Sequence, residues 1–149
     1  MDDLFFMRQA IAEAKKALAF DEIPIGAIIV HDGQIIGRGY NRRNVDNSPF
    51  AHAEMLAISE AAQALGNWRL DGCTIYVTLE PCPMCAGAIV QCRLKRIVYG
   101  ARDAKAGCVG TLYDIPRDSR FAQHICVTPR VLEKDCAKLL SDFFVQRRK

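Results

Sequence analysis

The chain lacks the segments that carry a protein into or across a membrane. No apolar run approaches the roughly 18–20 residues that span a bilayer, so no membrane helix is expected. The opening residues, MDDLFFMRQAIAEAKKALAF, begin with acids and hold no cleavable apolar segment, so a secretory leader is not expected either. Charge of one sign is not in large excess: 20 Lys and Arg stand against 17 Asp and Glu, a formal net charge of +3. That balance permits nucleic-acid binding without demanding it, and the placement of the cations matters more than their sum. No repeat, low-complexity tract or composition break divides the chain, which excludes solenoid arrays and tethered modules. The 149 residues then form one domain, 1–149, long enough for a sizeable core.

Short apolar runs and turn signals fill that domain. Residues 3–19 read as an amphipathic helix with Leu4, Met7, Ile11, Ala14 and Leu18 on one face. Two runs, 25–31 and 34–40, flank Asp32-Gly33, a two-residue hairpin signal that makes them antiparallel neighbours. A polar loop, 41–49, leads to an alanine-rich helix over 52–65 that stops at Gly66. The run 73–79 reads as a strand, the next ten or so residues as a helix and 96–101 as a strand, which implies a parallel crossover. A strand at 125–128 and a helix from Pro129 complete the chain, with Leu132, Cys136, Leu139, Leu140, Phe143 and Phe144 sharing a face. The fold class expected is α/β: a three-layer α-β-α arrangement with a mixed five-stranded sheet.

Cysteine, in contrast, is plentiful. Seven cysteines, an odd number without a leader, point to a reducing, cytoplasmic compartment where thiols are core fillers, metal ligands or nucleophiles. Cys73, Cys92, Cys108, Cys126 and Cys136 read as packed thiols, and Trp68 as a core anchor past the second helix. Cys82 and Cys85 stand apart, because Pro81 and Pro83 place them at a helix start. Free amides and the helix dipole favour thiolate there. Such a pair suits a redox dithiol, half of a structural zinc site or half of a catalytic one. His31 and His124 read as surface or satisfied side chains. His52 also stands near a helix start and is followed by Ala53-Glu54. In mid-helix His52 and Glu54 would point about 200° apart, but at the first turn both can converge on an ion above the helix end.

Together, HAE (52–54) and PCPMC (81–85) match the His-x-Glu and Pro-Cys-x-x-Cys signature of zinc nucleobase deaminases. The resemblance extends along almost the whole chain. EIPIGA (22–27), GYN (39–41), AHAE (51–54), TLEPCPMCAGA (78–88), GARDAKAG (100–107) and LLSDFF (139–144) occur in the order found in bacterial tRNA-specific adenosine deaminases. The resemblance implies a cytidine-deaminase-like fold and one zinc ion per subunit held by His52, Cys82 and Cys85, with the fourth position left for water. It implies hydrolytic conversion of adenosine to inosine at the wobble position of a tRNA anticodon, in an arginine tRNA. Zinc-bound hydroxide would attack, ammonia would leave, and Glu54 would shuttle the protons. Asn41, Ala53, Asp103 and Phe144 are then expected to contact the substrate, with Asn41 on the base and Asp103 on a ribose 2′-hydroxyl. Arg42, Arg43, Lys105, Arg147 and Arg148 are expected to form a phosphate surface for the anticodon stem-loop. Homodimerisation is implied by the resemblance alone. Glu80 reads as a structural acid beside the site. Two other readings stand beside this one: a deaminase of a free base or nucleoside, of guanine or cytosine type, and an RNA-binding module with a structural zinc.

Overall fold

A computed structural model describes residues 2–147. Arg148, expected on the phosphate surface, lies outside the described residues. In chain order the elements are α1 (Asp3–Lys16), a 3-10 turn (Ala17–Phe20), β1 (Gly26–His31), β2 (Gln34–Tyr40), α2 (Ala53–Leu65), β3 (Thr74–Leu79), α3 (Pro83–Gln91), β4 (Arg96–Ala101), β5 (Cys126–Thr128) and α4 (Glu133–Arg147). The sheet runs β2-β1-β3-β4-β5. β1 is antiparallel to β2 and β3, whereas β3, β4 and β5 are mutually parallel, so the sheet is mixed and five-stranded as expected.

The hairpin forms as its dipeptide dictates. His31 pairs with Gln34, and Asp32 and Gly33 take φ of 50° and 77°, the two left-handed residues that a two-residue loop needs. Alternation along β1 then sends Ala27 and Ile29 to one core with α2 and α3, and Ile28 and Val30 to a second core with α1 and α4. Helices α2 and α3 thus cover one face, α1 and α4 the other. Tyr76, fully buried, donates from its hydroxyl to Asp3 (2.8 Å), and Arg96 makes a forked ion pair with the same carboxylate (2.9 and 2.6 Å). That cluster ties the start of α1 to the sheet.

Four expectations are corrected. The buried apolar stripe of α1 is Phe6, Met7, Ala10 and Ala14, continued by Ala17 in the 3-10 turn, and Leu4 and Leu18 are exposed. The helix approaches β1 so closely that a Cβ on Gly26 would lie 2.2 Å from the Ala10 carbonyl oxygen, so alanine faces the sheet there. Trp68 is 62% exposed: the chain turns back at Gly66 (φ 65°), and Leu70 takes the core position with its amide on the Cys92 carbonyl. Cys126, on the edge strand between inward Ile125 and Val127, is exposed, while the other four cysteines expected in the core are buried. Helix α4 also starts later than Pro129, because Arg130 and Leu132 hold positive φ (64° and 54°) and Val131 bonds to Tyr99 across the intervening turn.

Candidate metal centre and active-site cavity

The sheet's topology brings three chain ends together. β3 and β4 are parallel, so their carboxyl ends, Leu79 and Ala101, lie side by side. Tyr40 at the end of β2 pairs with Gly26 at the start of β1, at the same edge of the sheet. The loops that leave these ends, together with residues 21–25 and the C-terminal half of α4, enclose a cavity of about 490 Å³. Binding sites of α/β folds lie characteristically beyond the carboxyl ends of strands.

His52 and Cys82 are the N-cap residues of α2 and α3, both in extended conformation, and Pro83 occupies the first turn of α3. The two helix starts therefore converge. His52 Nδ1 lies 3.7 Å from Cys82 Sγ and 3.5 Å from Cys85 Sγ, and the three donor atoms lie within 4.8 Å of one another. A tetrahedral zinc with ordinary Zn–N and Zn–S bonds separates its nitrogen and sulfur ligands by about 3.5 Å, so the triangle fits one zinc ion. Two helix N-termini favour the anionic sulfurs that zinc requires.

Protonation in the cluster follows from its contacts. The Cys82 thiol is held down to about 4, first by the hydrogen bond from Cys85 and then by His52, against the effect of burial. Cys85 is pushed far up, because it keeps the proton it donates to Cys82 and because it is buried. The bond to Cys82 raises His52 above its ordinary value. Glu54 is 4% exposed and stands outside the donor triangle. Burial raises its pKa to about 7, against its own backbone amide, with the Cys82 charge adding to the rise. A buried carboxyl poised near neutrality can both take and return a proton.

Of the other expected site residues, Asn41, Arg43, Ala53, Asp103, Lys105 and Phe144 all line the cavity. Asn41 is buried, donates from Nδ2 to Ile23 O (3.3 Å) and accepts at Oδ1 from Arg43 N (3.1 Å). One amide hydrogen and one lone pair are left over after these bonds. Asp103 Oδ1 accepts from the amides of Lys105 (3.0 Å) and Ala106 (3.2 Å), which caps its own turn. Phe143 is buried and Phe144 is 44% exposed at the cavity, so the two rings divide the roles of core and wall. Arg42 is not among the lining residues: its guanidinium bonds Tyr40 Oη (2.8 Å) and Asp46 and sits over the Phe20 and Tyr40 rings. Arg147 pairs with Asp21 and lies over Phe143.

Glu80 is a structural acid, as expected, and more. Oε1 accepts from Asp103 N (3.1 Å) and Thr111 Oγ1 (2.5 Å), and Oε2 from Val109 N (3.0 Å) and Thr111 N (3.1 Å). Burial alone would raise its pKa, but these bonds, that of the Thr111 hydroxyl foremost, hold it below the usual carboxylate range. Gly107 is required beside it, since a Cβ there would lie 2.5 Å from Glu80 Cδ. Sequence reasoning missed the apolar wall of Ile23, Ile25 and Leu140. Leu140 was legible only as a member of the LLSDFF run and of the apolar face of α4, one helical turn before Phe144.

Residues 1–101 match the family model for the zinc-binding region of cytidine and deoxycytidylate deaminases. The chain is 52% identical over 147 residues to a tRNA-specific adenosine deaminase of Bacillus subtilis (strain 168), covering 99% of this chain and 91% of that protein. Among solved structures, a tRNA A34 deaminase studied for A-to-I editing at the wobble position superposes with a TM-score of 0.87 at 42% identity, covering 91% of this chain and 99% of that one. A guanine deaminase from Nitrosomonas europaea is more distant, with a TM-score of 0.79 at 27% identity over 94% of this chain and 83% of its own.

Proposed function

This chain belongs to the cytidine and deoxycytidylate deaminase zinc-binding family, and from that membership we propose that it converts the wobble adenosine of a tRNA anticodon to inosine. The observation that carries this reading is the pairing of a His52-Cys82-Cys85 donor triangle with a buried, non-ligating Glu54 at a cavity that His52, Cys82 and Glu54 line. A structural zinc site gains nothing from Glu54. Three cations at the cavity wall, Arg43, Arg102 and Lys105, suit a substrate that carries phosphates, which a free base does not.

Zinc, when bound by His52, Cys82 and Cys85, supplies the Lewis acidity that brings a water molecule to reactivity near neutral pH. Hydrolysis adds water across C6 of adenine and expels the amino group as ammonia. Two protons must move. One passes from water to the ring nitrogen beside C6, and one from the new C6 hydroxyl to the departing amine. Glu54 accepts and returns both, since its carboxyl is buried against the site yet stands outside the donor triangle. Asn41 offers its remaining donor and acceptor to the base edge, the main chain of Ala53 closes the base pocket, and Phe144 stacks on a splayed nucleotide. Asp103 accepts from a ribose 2′-hydroxyl, which distinguishes RNA from DNA.

The substrate is an arginine tRNA read through its anticodon stem-loop. Arg42, Arg43, Lys105, Arg147 and Arg148 provide its phosphate surface. Residues 1–149 act as one deaminase domain in a cytoplasmic homodimer. Among the described residues no helix is long and apolar enough to cross a membrane.

The deciding experiment incubates the zinc-loaded protein with an anticodon stem-loop and, separately, with free guanine, cytosine and adenosine. Inosine at the wobble position, lost in Glu54→Ala while zinc and RNA binding persist, is the expected result. Ammonia released from a free base alone would move the chain to the guanine or cytosine type. Activity unchanged in Glu54→Ala would remove the assigned chemistry.

A further inference from the structure

Glu22 takes no part in the chemistry above, yet it is 1% exposed and immediately precedes the cavity-lining Ile23. A buried carboxylate is costly unless donors meet its charge. Here the donors are two consecutive main-chain amides from the exposed loop between β2 and α2. Oε2 accepts from Asn44 N at 2.7 Å and Val45 N at 2.9 Å. Glu22 itself is anchored, its amide bonded to Ala17 O at 3.1 Å at the end of α1's trailing turn.

The same short segment holds the root of that loop. Asn41 donates from its side chain to Ile23 O and from its main chain to Ile25 O (3.0 Å). Most other bonds of the loop are local, namely Asp46 N to Arg42 O, Ser48 N to Arg43 O, Arg42 N to Ala51 O and the Arg42–Asp46 ion pair, while the Arg42 guanidinium rests over the Phe20 and Tyr40 rings. Local bonds give the loop its shape, but they do not place it. Placement relative to the cavity comes from residues 20–25, with the Asn41 contacts and Arg42 over Phe20 at its root and Glu22 further out.

We propose that Glu22 is a positioning residue that clamps the outer part of the β2–α2 loop to the cavity rim and thereby places Arg43 for a polynucleotide substrate. The proposal rests on the reading given under Proposed function. Two adjacent N–H groups converging on one oxygen form an anion cradle, and the chain fills it with its own carboxylate. The charge-assisted bonds are the strong kind, so their loss frees a loop that is otherwise exposed.

The test compares Glu22→Ala and Glu22→Gln with the wild type in the zinc-loaded protein. Hydrogen exchange is followed at the Asn44 and Val45 amides, tryptic cleavage after Arg42 and Arg43, and kcat and KM on an anticodon stem-loop. For Glu22→Ala, exchange and cleavage accelerate about tenfold or more and KM rises about tenfold, the equivalent of one charge-assisted bond. Its zinc content and kcat stay within about twofold of wild type, because the donor triangle and Glu54 rest on α2 and α3. Glu22→Gln keeps an acceptor oxygen without the charge and falls between the two. Unchanged protection of both amides overturns the clamp, as does faster exchange with an unchanged KM, or a loss that follows zinc content. If the wild type leaves the stem-loop unmodified, the proposed function fails, while the exchange and cleavage comparison still decides the clamp. Should Glu22→Ala not fold, Glu22→Gln carries the comparison.

Discussion

Glu80→Gln changes one atom of a side chain to which no reaction step is assigned, and its cost can be worked out bond by bond. The carboxylate divides four donors evenly, with Asp103 N and Thr111 Oγ1 on Oε1 and Val109 N and Thr111 N on Oε2. Glutamine fits best with its oxygen in the place of Oε2. The two amide bonds there survive but lose their charge assistance, about 0.5–1 kcal/mol each. The Thr111 hydroxyl can rotate and accept from the new NH2. The Asp103 N–H cannot, and an orphaned buried donor costs about 1–3 kcal/mol. The sum is about 3 kcal/mol, a large share of the 5–15 kcal/mol that ordinarily holds a domain together.

Urea unfolding should show the loss as a lower midpoint at constant slope, with hydrogen exchange accelerated at Asp103, Val109 and Thr111. Deamination should fall as well, since Asp103, Ala104, Lys105 and Ala106 of that loop wall the cavity. The pH dependence has a definite sign. Glu80 titrates below its ordinary range when folded, so its contribution is present above the ordinary carboxylate pKa. It is lost as pH falls through the lowered folded value, and wild type and variant converge in acid. A loss under about 0.5 kcal/mol, the scatter of ordinary surface substitutions, with unchanged exchange would refute the account.

Gly39→Ala should destabilise the chain by about 1–3 kcal/mol and weaken zinc retention, because overpacking forces the helix off the strand. Its Cβ would lie 2.3 Å from the carbonyl oxygen of Ala53, the neighbour of His52, and denaturation with a zinc-competition titration would reveal both effects. Asp3→Asn should lower stability at neutral pH and not in acid. The bond from Arg96 holds Asp3 below its ordinary 3.8, burial opposing, so the contribution disappears as pH falls through the folded value; unfolding across pH 2–7 checks it. Asp21→Asn opens the exposed pair with Arg147 and should raise KM for a stem-loop by up to about fivefold. Asparagine tolerates the left-handed conformation of this position (φ 57°), so the backbone is kept. Simple charge attraction predicts the reverse, tighter RNA binding once a negative charge is gone, and a steady-state assay separates the two.

Much of this molecule is written in local chemistry. Asp32-Gly33 closes a hairpin because both residues tolerate positive φ, and Gly66 ends α2 for the same reason. His52, Glu54, Cys82 and Cys85 are legible because zinc hydrolysis needs those residue types at two helix starts, and Pro83 marks one of the starts. The left-handed turn at Arg130 and Leu132 sets the start of α4, whereas the α1 stripe and Trp68 depart from expectation for one shared reason. Helical spacing says which residues can share a face, but only the packed sheet decides how near the helix comes and which neighbour fills the core. Glu22 shows the limit most plainly, and Glu80, expected only as a structural acid beside the site, shows it in its partners. A glutamate before an isoleucine or a proline carries no signal that it will be buried. Glu22 acquires its role from amides 22 and 23 residues away, and Glu80 acquires most of its own from amides 23 to 31 residues away. The local sequence therefore determined the reacting groups, while the tertiary structure decided which loops stand around them and what holds those loops in place.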